Sequence, residues 1–566
     1  MIRRVLVLLP LWLGVSVAGW GGACLSAPPL AAPGSESAAH TLPQADTARS
    51  ARGIVWAPSS DPTAALQTLH RIAATGADAV RLLRPPPDTI FAPADTLGLS
   101  LFVDLPVAHV SAAALPDSLR AAEPVLDRLL QRADRHEALQ AIGLAHHTNT
   151  TVPAACETLA RWSERIDSAS SLETYYVTPF SPTADRCRDA TDRVLVDLKG
   201  RSAPVERWQS WADASPAVGI GALGTWTRPG AASGLRVPHS AEQQARYLEE
   251  GLPALWAAPP AAPSIVFVYR WRDAEASPLS SRRYGLHTAA GTARPAARVV
   301  EGLFTGSQRV FAFSAGTPPA QTPYGLLLLG WLLAIILAGL YVGRPFVRQT
   351  VRRYFGAHGF YRDAIREGRE LEPGATAVVL SVVTVALGLM GVSAARCAAE
   401  LPVTERVLAA VPDGLQSVLA FGVEHPEATG LLLGGAVLWL LLLWASVLVV
   451  VARRQGAFSF PQGLMLITWP CWPLLSALPL TLVTHDHPPG SASLVLAGLL
   501  VASLVAMTYF PLRVLWDYQA ITGRSWVVVA PLGLLSPPAL ALLLAAVLVA
   551  LNDVPLRFLW RLATWA

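Results

Sequence analysis

Apolar and polar positions follow two different rules along this chain, and the change comes near residue 320. From Tyr324 onward long apolar blocks dominate, whereas from Ser50 to Phe313 short apolar runs alternate with charges and prolines. A helix needs about 20 apolar residues to cross the hydrocarbon core of a bilayer. Six stretches reach that length, at about 324–343, 375–394, 428–452, 462–484, 490–511 and 527–550. Pro470 and Pro473 interrupt the fourth, which membrane helices tolerate. The pattern predicts an all-α polytopic domain of about six helices. It has a first span at 324–343, a basic loop at 344–374, further spans within 375–550 and a tail at 551–566. The tail, with Phe558, Leu559, Trp560 and Trp565, reads as an interfacial amphipathic segment.

The first half has a different rhythm. Eight short β-rich runs are expected, at Gly53–Trp56, Ala79–Leu83, Ser100–Leu105, Ala141–Ala145, Thr174–Thr178, Arg193–Leu198, Ala217–Leu223 and Ser264–Arg270. Helical stretches such as Thr63–Thr75, Glu123–Arg135, Ala154–Ser168 and Ala241–Leu255 lie between them. Eight strand–helix units over residues 51–315 predict an α/β domain, a (β/α)8 TIM barrel. A doubly wound open sheet is the alternative, but no Gly-rich phosphate loop follows the first run, so dinucleotide binding is unsupported and no cofactor is expected.

Charge gives the two halves a side. Arg3 and Arg4, the apolar stretch Val5 to Ala18 and small residues through Ala27 read as a signal peptide or N-terminal anchor over 1–27. Residues 28–50, rich in Ala, Pro and Ser, read as a flexible linker. Cys24 lies in a faint lipoprotein-like box that lacks the usual leucine. Arg344, Arg348, Arg352, Arg353, Arg362, Arg366 and Arg369 follow the first span, and by the positive-inside rule that loop is cytoplasmic. Arg453, Arg454, Arg513 and Arg524 fall on the same side when the spans alternate, whereas Arg557 and Arg561 in the tail would be external. The expectation is a multi-pass protein of the bacterial cytoplasmic membrane with the barrel on the extracytoplasmic, periplasmic side. Its partners are then the lipid bilayer and other envelope membrane proteins.

Composition agrees with lipid: 52% of residues are hydrophobic and 15% charged, and mean hydropathy is +0.40. A net charge of +4 without a basic–aromatic patch gives no support for nucleic acid. Lys199 is the only lysine, which reads as genome composition. Cys156 and Cys187 are the two cysteines of the soluble half, and they can form a disulfide or stay as two free small hydrophobes. His485, Asp486 and His487 fall in an external loop that reads as solvated.

Particular residues carry a family resemblance. Gly53-Ile54-Val55-Trp56-Ala57-Pro58-Ser59, Gly76-Ala77-Asp78-Ala79-Val80-Arg81 and Gly98-Leu99-Ser100-Leu101-Phe102-Val103-Asp104-Leu105-Pro106 resemble the first three strands of the family 2 glycoside hydrolase barrel and its clan A relatives. Phe267-Val268-Tyr269-Arg270-Trp271-Arg272-Asp273, Arg283-Tyr284-Gly285-Leu286 and Arg294-Pro295-Ala296-Ala297-Arg298-Val299-Val300 are similar to the segments that close such barrels. Spans two to six resemble, more loosely, the five-helix Yip1-like membrane domain.

The resemblance implies a chemistry that the residues do not supply. Retaining glycosidases use two carboxylates about 5–5.5 Å apart, one as acid and base and one as nucleophile. In the resembling clan these are the Glu of an Asn-Glu pair ending strand four and a Glu ending strand seven. Here strand four ends in Ala145-His146-His147, and strand seven reads Val218-Gly219-Ile220-Gly221-Ala222-Leu223. Catalytic candidates reduce to Asp104, Asp197 and His146, with Asp273 just beyond strand eight. Candidates for holding a sugar are Trp56, Arg81, Asp104, His146, His147, Tyr175, Asp197, Trp226 and Trp271, the indoles by stacking on pyranose faces. Tyr175 and Tyr176 alternate faces, so one of them points inward. No metal site is expected, because adjacent histidines on a strand diverge.

The expected function is a membrane-anchored, glycoside hydrolase-like protein that binds or processes envelope carbohydrate with degenerate catalytic carboxylates. An active hydrolase with a rearranged acid pair is the first alternative. The second is a membrane component of polysaccharide export or envelope assembly, with the barrel as sensor or docking module.

Overall fold

The computed structural model of the protein describes residues 50–565 apart from 215–217, 260, 275–276, 318–324, 370, 454–457 and 477–492. The signal segment, nearly all of the 28–50 linker, Cys24 and the His485–His487 loop lie outside the described residues. The rest divides into two compact units. One is the described part of Gly34–Gln321 together with Glu405–Ala410 and Arg557–Ala566; the other is Thr322–Thr404 with Val411–Leu556.

All eight expected strands form: β1 (Ala51–Trp56), β2 (Ala79–Leu82), β3 (Ser100–Asp104), β4 (Leu139–His146), β5 (Glu173–Thr178), β6 (Arg193–Asp197), β7 (Val218–Leu223) and β8 (Ile265–Tyr269). Each pairs in parallel with the next, and β8 pairs with β1 to close a barrel. Closure removes the open-sheet alternative. Side chains alternate across each strand, so one set fills the barrel and the other packs under the helices. Val55, Ala79, Phe102, Ala141, Tyr175, Leu195 and Phe267 form the interior layer. Ile54, Val80, Leu101, Ile142, Val196 and Val268 join the layer beneath the helices.

The helices begin where local chemistry allows. Asp61 caps Pro62–Ala74 by accepting from the Thr63 amide, and Pro62 costs no hydrogen bond in the first turn. Ser240 caps Ala241–Trp256 through the Gln243 amide. Leu115–Ala133 buries Leu115, Leu119, Ala122, Leu126 and Leu129, a stripe at helical spacing, each leucine contributing roughly 2 kcal/mol of burial. Cys156, on Pro153–Ala169, is joined by a disulfide to Cys187 in the loop after β5.

The second unit departs from the six-span expectation. Among the described residues three helices are long and apolar enough to cross a membrane: Gly325–Gly343, Pro373–Glu400 and Pro426–Arg453. A fourth candidate is the pair Trp526–Gly533 and Pro537–Leu551, which is bent by 60° where the sequence expected one span. Ser536 and two successive prolines after it break the hydrogen-bond ladder there. The expected 462–484 span changes helix type within its described part, and its residues 477–484 lie outside the described residues. Phe460–Thr468 is α-helical and Trp469–Ser476, with Pro470 and Pro473, tightens into a 3-10 helix. The described part of the expected fifth span, from residue 493 to 511, lies within the helix Ser493–Thr522. The basic 344–374 segment is not an open loop, for it folds into Pro345–Gly356 and His358–Glu367. Arg362 and His358 engage the buried Asp517 carboxylate at 2.8 and 2.9 Å. Pro373–Glu400 and Pro426–Arg453 meet backbone to backbone, since a Cβ at Gly388 would lie 2.7 Å from the Gly430 carbonyl oxygen.

The tail forms the helix Leu556–Trp565, with Phe558, Leu559 and Leu562 buried and Arg561 donating to the Thr151 hydroxyl. Leu556 and Trp560 of the same helix stay exposed, at 48% and 49%.

Candidate functional site at the barrel mouth

Strand parity aims Arg81, Asp104 and Tyr175 into the barrel. Arg81 is fully buried; its Nη2 and Nε donate to Asp104 at 2.6 and 3.1 Å, and its Nη1 donates to the Gly221 carbonyl at 2.9 Å. The Tyr175 hydroxyl donates to the same carboxylate at 2.6 Å. Burial alone would lower the Arg81 pKa, yet Asp104 and Tyr175 hold it above its ordinary value. Burial, reinforced by Asp104, pushes the Tyr175 phenol well up. Gly143 on β4 makes this cluster possible. A Cβ there would stand 2.6 Å from Asp104 Oδ1 and 2.7 Å from the Tyr175 ring.

Above this layer sit three histidines. His146 and His147 end β4, and His109 comes from the loop after β3, with ring centroids 4.0 Å apart for His146–His147 and 4.9 Å for His109–His147. Both His109 and His147 adopt left-handed backbone, at φ 57° and 54°, which non-glycine residues seldom do. Burial is the main reason all three stay neutral. It pulls His109 and His146 well below the usual imidazole range and His147 down to about 4. Among the described residues no three His, Cys, Asp or Glu side chains converge as metal ligands.

Asp197, at the end of β6, is 1% exposed, and its Oδ2 lies 2.7 Å from His147 Nε2 and 3.0 Å from Arg406 Nε. Its Oδ1 accepts from the Lys199 amide at 2.8 Å. Burial would raise this carboxyl, but Arg406 and His147 hold it well below the usual carboxylate range. Lys199 Nζ lies 3.4 Å from Glu405 Oε1 and over the rings of Tyr269 and Tyr284, at 4.8 and 5.1 Å. The Tyr284 hydroxyl donates to Glu405 at 2.7 Å, and Arg282 stands 4.0 Å away. Despite its burial, Glu405 is held below its ordinary pKa by Lys199 and Arg282. Glu405 and Arg406 belong to the short helix Val403–Ala409, which follows Pro373–Glu400 in sequence, and the segment Glu405–Ala410 belongs to the barrel unit.

The structure thus brings Arg81, Asp104 and Tyr175 together, and His146, His147 and Asp197 together. The tryptophans are placed elsewhere than a sugar platform requires. Trp56 follows inward Val55, so it faces the helices, and Trp271 lies in that same layer against His287 at 4.2 Å. Trp226 is 4% exposed, stacked on His239 at 4.7 Å with the Arg282 guanidinium 4.3 Å over its ring. Tyr176, the outward neighbour of Tyr175, donates to Asp185 at 2.9 Å. Asp273 takes a two-pronged clamp from Arg294, at 2.6 and 3.1 Å, and the Gly285 amide at 2.8 Å.

Sequence reasoning missed His109, Arg282, Tyr284, Glu405 and Arg406, and it read Lys199 as composition. Two signals were available. Lys199 stands two residues after Asp197 at a strand end, and Glu405-Arg406 is a charge pair set among apolar residues between two candidate spans.

No family model and no curated protein matches the chain, so the Yip1-like arrangement rests on sequence alone. Solved structures do match. A GH2 beta-galacturonidase from Eisenbergiella tayi bound to galacturonate is 16% identical with a TM-score of 0.42, over 46% of this chain and 52% of that one. A beta-glucuronidase from Ruminococcus gnavus in complex with uronic deoxynojirimycin is 14% identical with a TM-score of 0.40, over 45% and 50%. A beta-glucuronidase from an uncultured Clostridium sp. is 15% identical with a TM-score of 0.40, over 46% and 50%. The chain spans about half the length of these structures, and their substrates are properties of those proteins.

Proposed function

We propose that this protein is a membrane-anchored, glycoside hydrolase-like barrel that binds envelope carbohydrate outside the cytoplasm without hydrolysing it. One observation carries the loss of hydrolysis. Four carboxylates of the described barrel mouth are tied to a cation, Asp104 to Arg81, Asp197 to Arg406, Asp273 to Arg294 and Glu405 to Lys199, while Asp185, in the loop after β5, is buried against the Thr150 and Tyr176 hydroxyls and the Cys187 amide. A general acid needs a raised pKa and a nucleophile needs an open approach. Asp197 and Glu405 are instead held as carboxylates by buried partners, and β7 ends without an acid. Carbohydrate as the ligand is supported by the sequence segments similar to family 2 barrels. The extracytoplasmic side is supported by the arginines of 344–369 and by Glu405–Ala410, which lies across the second candidate span from those arginines and belongs to the barrel unit.

The test is a glycan array with the full-length chain in detergent, alongside a reducing-sugar assay on the glycans that bind. Binding without turnover is expected. Sugar release abolished by Asp104→Asn or Asp197→Asn would establish an active hydrolase instead.

A second reading is favoured by the buried Glu405 and Arg406. In it the barrel is a docking module that grips a segment linking two apolar helices, within an export or envelope-assembly component. An empty glycan array, together with co-purification of polysaccharide-assembly proteins that Arg406→Gln abolishes, would select this reading.

A further inference from the structure

Beside Asp197 the charges do not balance. The turn after β6 sets Gly200 in left-handed backbone, at φ 74°, with its amide on the Gly224 carbonyl at 2.7 Å, and the Arg201 amide donates to the Leu198 carbonyl at 3.1 Å. Arg207 lies one turn into the helix Pro204–Ala212, its Nη2 on the Pro179 carbonyl at 3.1 Å. Arg406, 1% exposed, spends Nε on Asp197 and Nη2 on the Lys199 carbonyl at 2.9 Å. The other donors are left over. Arg201 Nε and Nη2, Arg207 Nε, Arg406 Nη1 and the Tyr247 hydroxyl are all buried with no hydrogen-bond partner among the described residues.

Buried polar groups are almost always satisfied, and buried charges are paired. Here Arg201 and Arg207 both sense Arg406, and Asp197, the carboxylate that Arg201 also senses, is already engaged by His147 and Arg406. Burial first, then the neighbouring arginines, pull Arg201 down to about 9 and Arg207 to about 10. The helix Pro204–Ala212 also opens at Ala203 without a side-chain cap, leaving the positive end of its dipole beside this cluster in sequence. Water can satisfy donors, but it cannot neutralise two surplus positive charges. A doubly charged tetrahedral oxyanion does both, because the planar guanidinium fork matches phosphate oxygens.

We propose that Arg201, Arg207 and Arg406, with the Tyr247 hydroxyl, form an anion site at the rim of the barrel for a phosphate-class oxyanion. The ligand bridges the β6 loop and the Glu405–Ala410 segment, so its binding also secures that segment. The group is free phosphate or the phosphomonoester of a lipid headgroup.

The full-length chain, purified in uncharged detergent without phosphate, is titrated with inorganic phosphate while its thermal midpoint is followed. Potassium chloride at matched ionic strength is the control. A saturable rise with phosphate alone is expected, with apparent affinity weakened about tenfold or more in Arg201→Gln and Arg207→Gln. A rise equal to that in chloride, or one unchanged in both variants, overturns the proposal. If Arg201→Gln does not fold, the half-buried Arg207→Gln and the wild-type comparison still decide. Phosphatidic acid in mixed micelles with the detergent forms a second arm: a response stronger than to inorganic phosphate assigns the headgroup source, and a weaker one assigns free phosphate. A response to glucuronate without one to phosphate overturns the tetrahedral anion in favour of a carboxylate.

Discussion

Replacing Arg406 with Gln removes the guanidinium from a fully desolvated carboxylate, and the size of the effect follows from the geometry. Nε and Oδ2 are 3.0 Å apart with each side chain 1% exposed. With an effective dielectric constant near 20, two unit charges at that distance attract by about 5 kcal/mol. Desolvation cancels part of this, and breaking a buried pair by deleting one partner costs about 3–5 kcal/mol because the other charge is stranded. Asp197 keeps the Lys199 amide and His147, so the lower end, about 3 kcal/mol, is expected. The chain has two compact units, so one global unfolding free energy is a poor readout. Local opening of residues 403–410, read by amide hydrogen exchange on the full chain, isolates the segment. At 1.4 kcal/mol per tenfold, exchange there should accelerate roughly 100-fold in Arg406→Gln. Asp197→Asn should accelerate it similarly, while the double variant should recover about 2 kcal/mol relative to the sum of the two. An acceleration under about threefold, or strictly additive single effects, would show that the pair does not hold the segment.

Three further outcomes are expected. Acid should weaken the barrel. The unfolded chain binds protons on His109, His146 and His147 near pH 6.5 while the folded chain excludes them, so stability present above that pH is lost as pH falls toward 4. For His147, held at about 4, the loss amounts to roughly 3 kcal/mol, and a midpoint series from pH 7 to 5 should flatten in His147→Gln. Reducing Cys156–Cys187, which closes 31 residues, should remove about 3–4 kcal/mol and lower the barrel's midpoint, with Cys156→Ser reproducing it. Gly143→Ala should cost at least about 2 kcal/mol, since its Cβ meets Asp104 Oδ1 at 2.6 Å; a midpoint equal to wild type would mean that the Arg81–Asp104–Tyr175 cluster can move aside.

The barrel was legible because parallel strands buried on both faces read as near-continuous apolar runs, as Val194–Val196 and Ile265–Val268 do. Boundaries suffered where a polar residue interrupted the run. β4 begins at Leu139 rather than Ala141 because exposed Gln140 sits between two buried positions. Asp104 and Asp197 could be picked out by their strand-end positions. Their roles could not, since those depend on partners brought by folding, and Arg406 reaches Asp197 across 209 residues of sequence. The tryptophans misled because indole chemistry suits both stacking on sugar and filling a core, and parity decided for Trp56. Apolar length found the candidate spans, yet it carries no record of the 3-10 turns around Pro470 and Pro473 or of the 60° bend before Pro537.

The Arg406–Asp197 pair also dictates a timetable. Translation at about 5–20 residues per second puts roughly 10–40 s between the synthesis of Asp197 and that of Arg406, 209 positions later. During that interval β6 and β7 are already made, yet Asp197 lacks its guanidinium and Lys199 lacks Glu405. A nascent barrel is therefore left with uncompensated charge at its mouth while Pro373–Glu400 is still being synthesised. A ribosome that stalls before residue 405 therefore leaves a barrel in which Asp197 and Lys199 lack these partners.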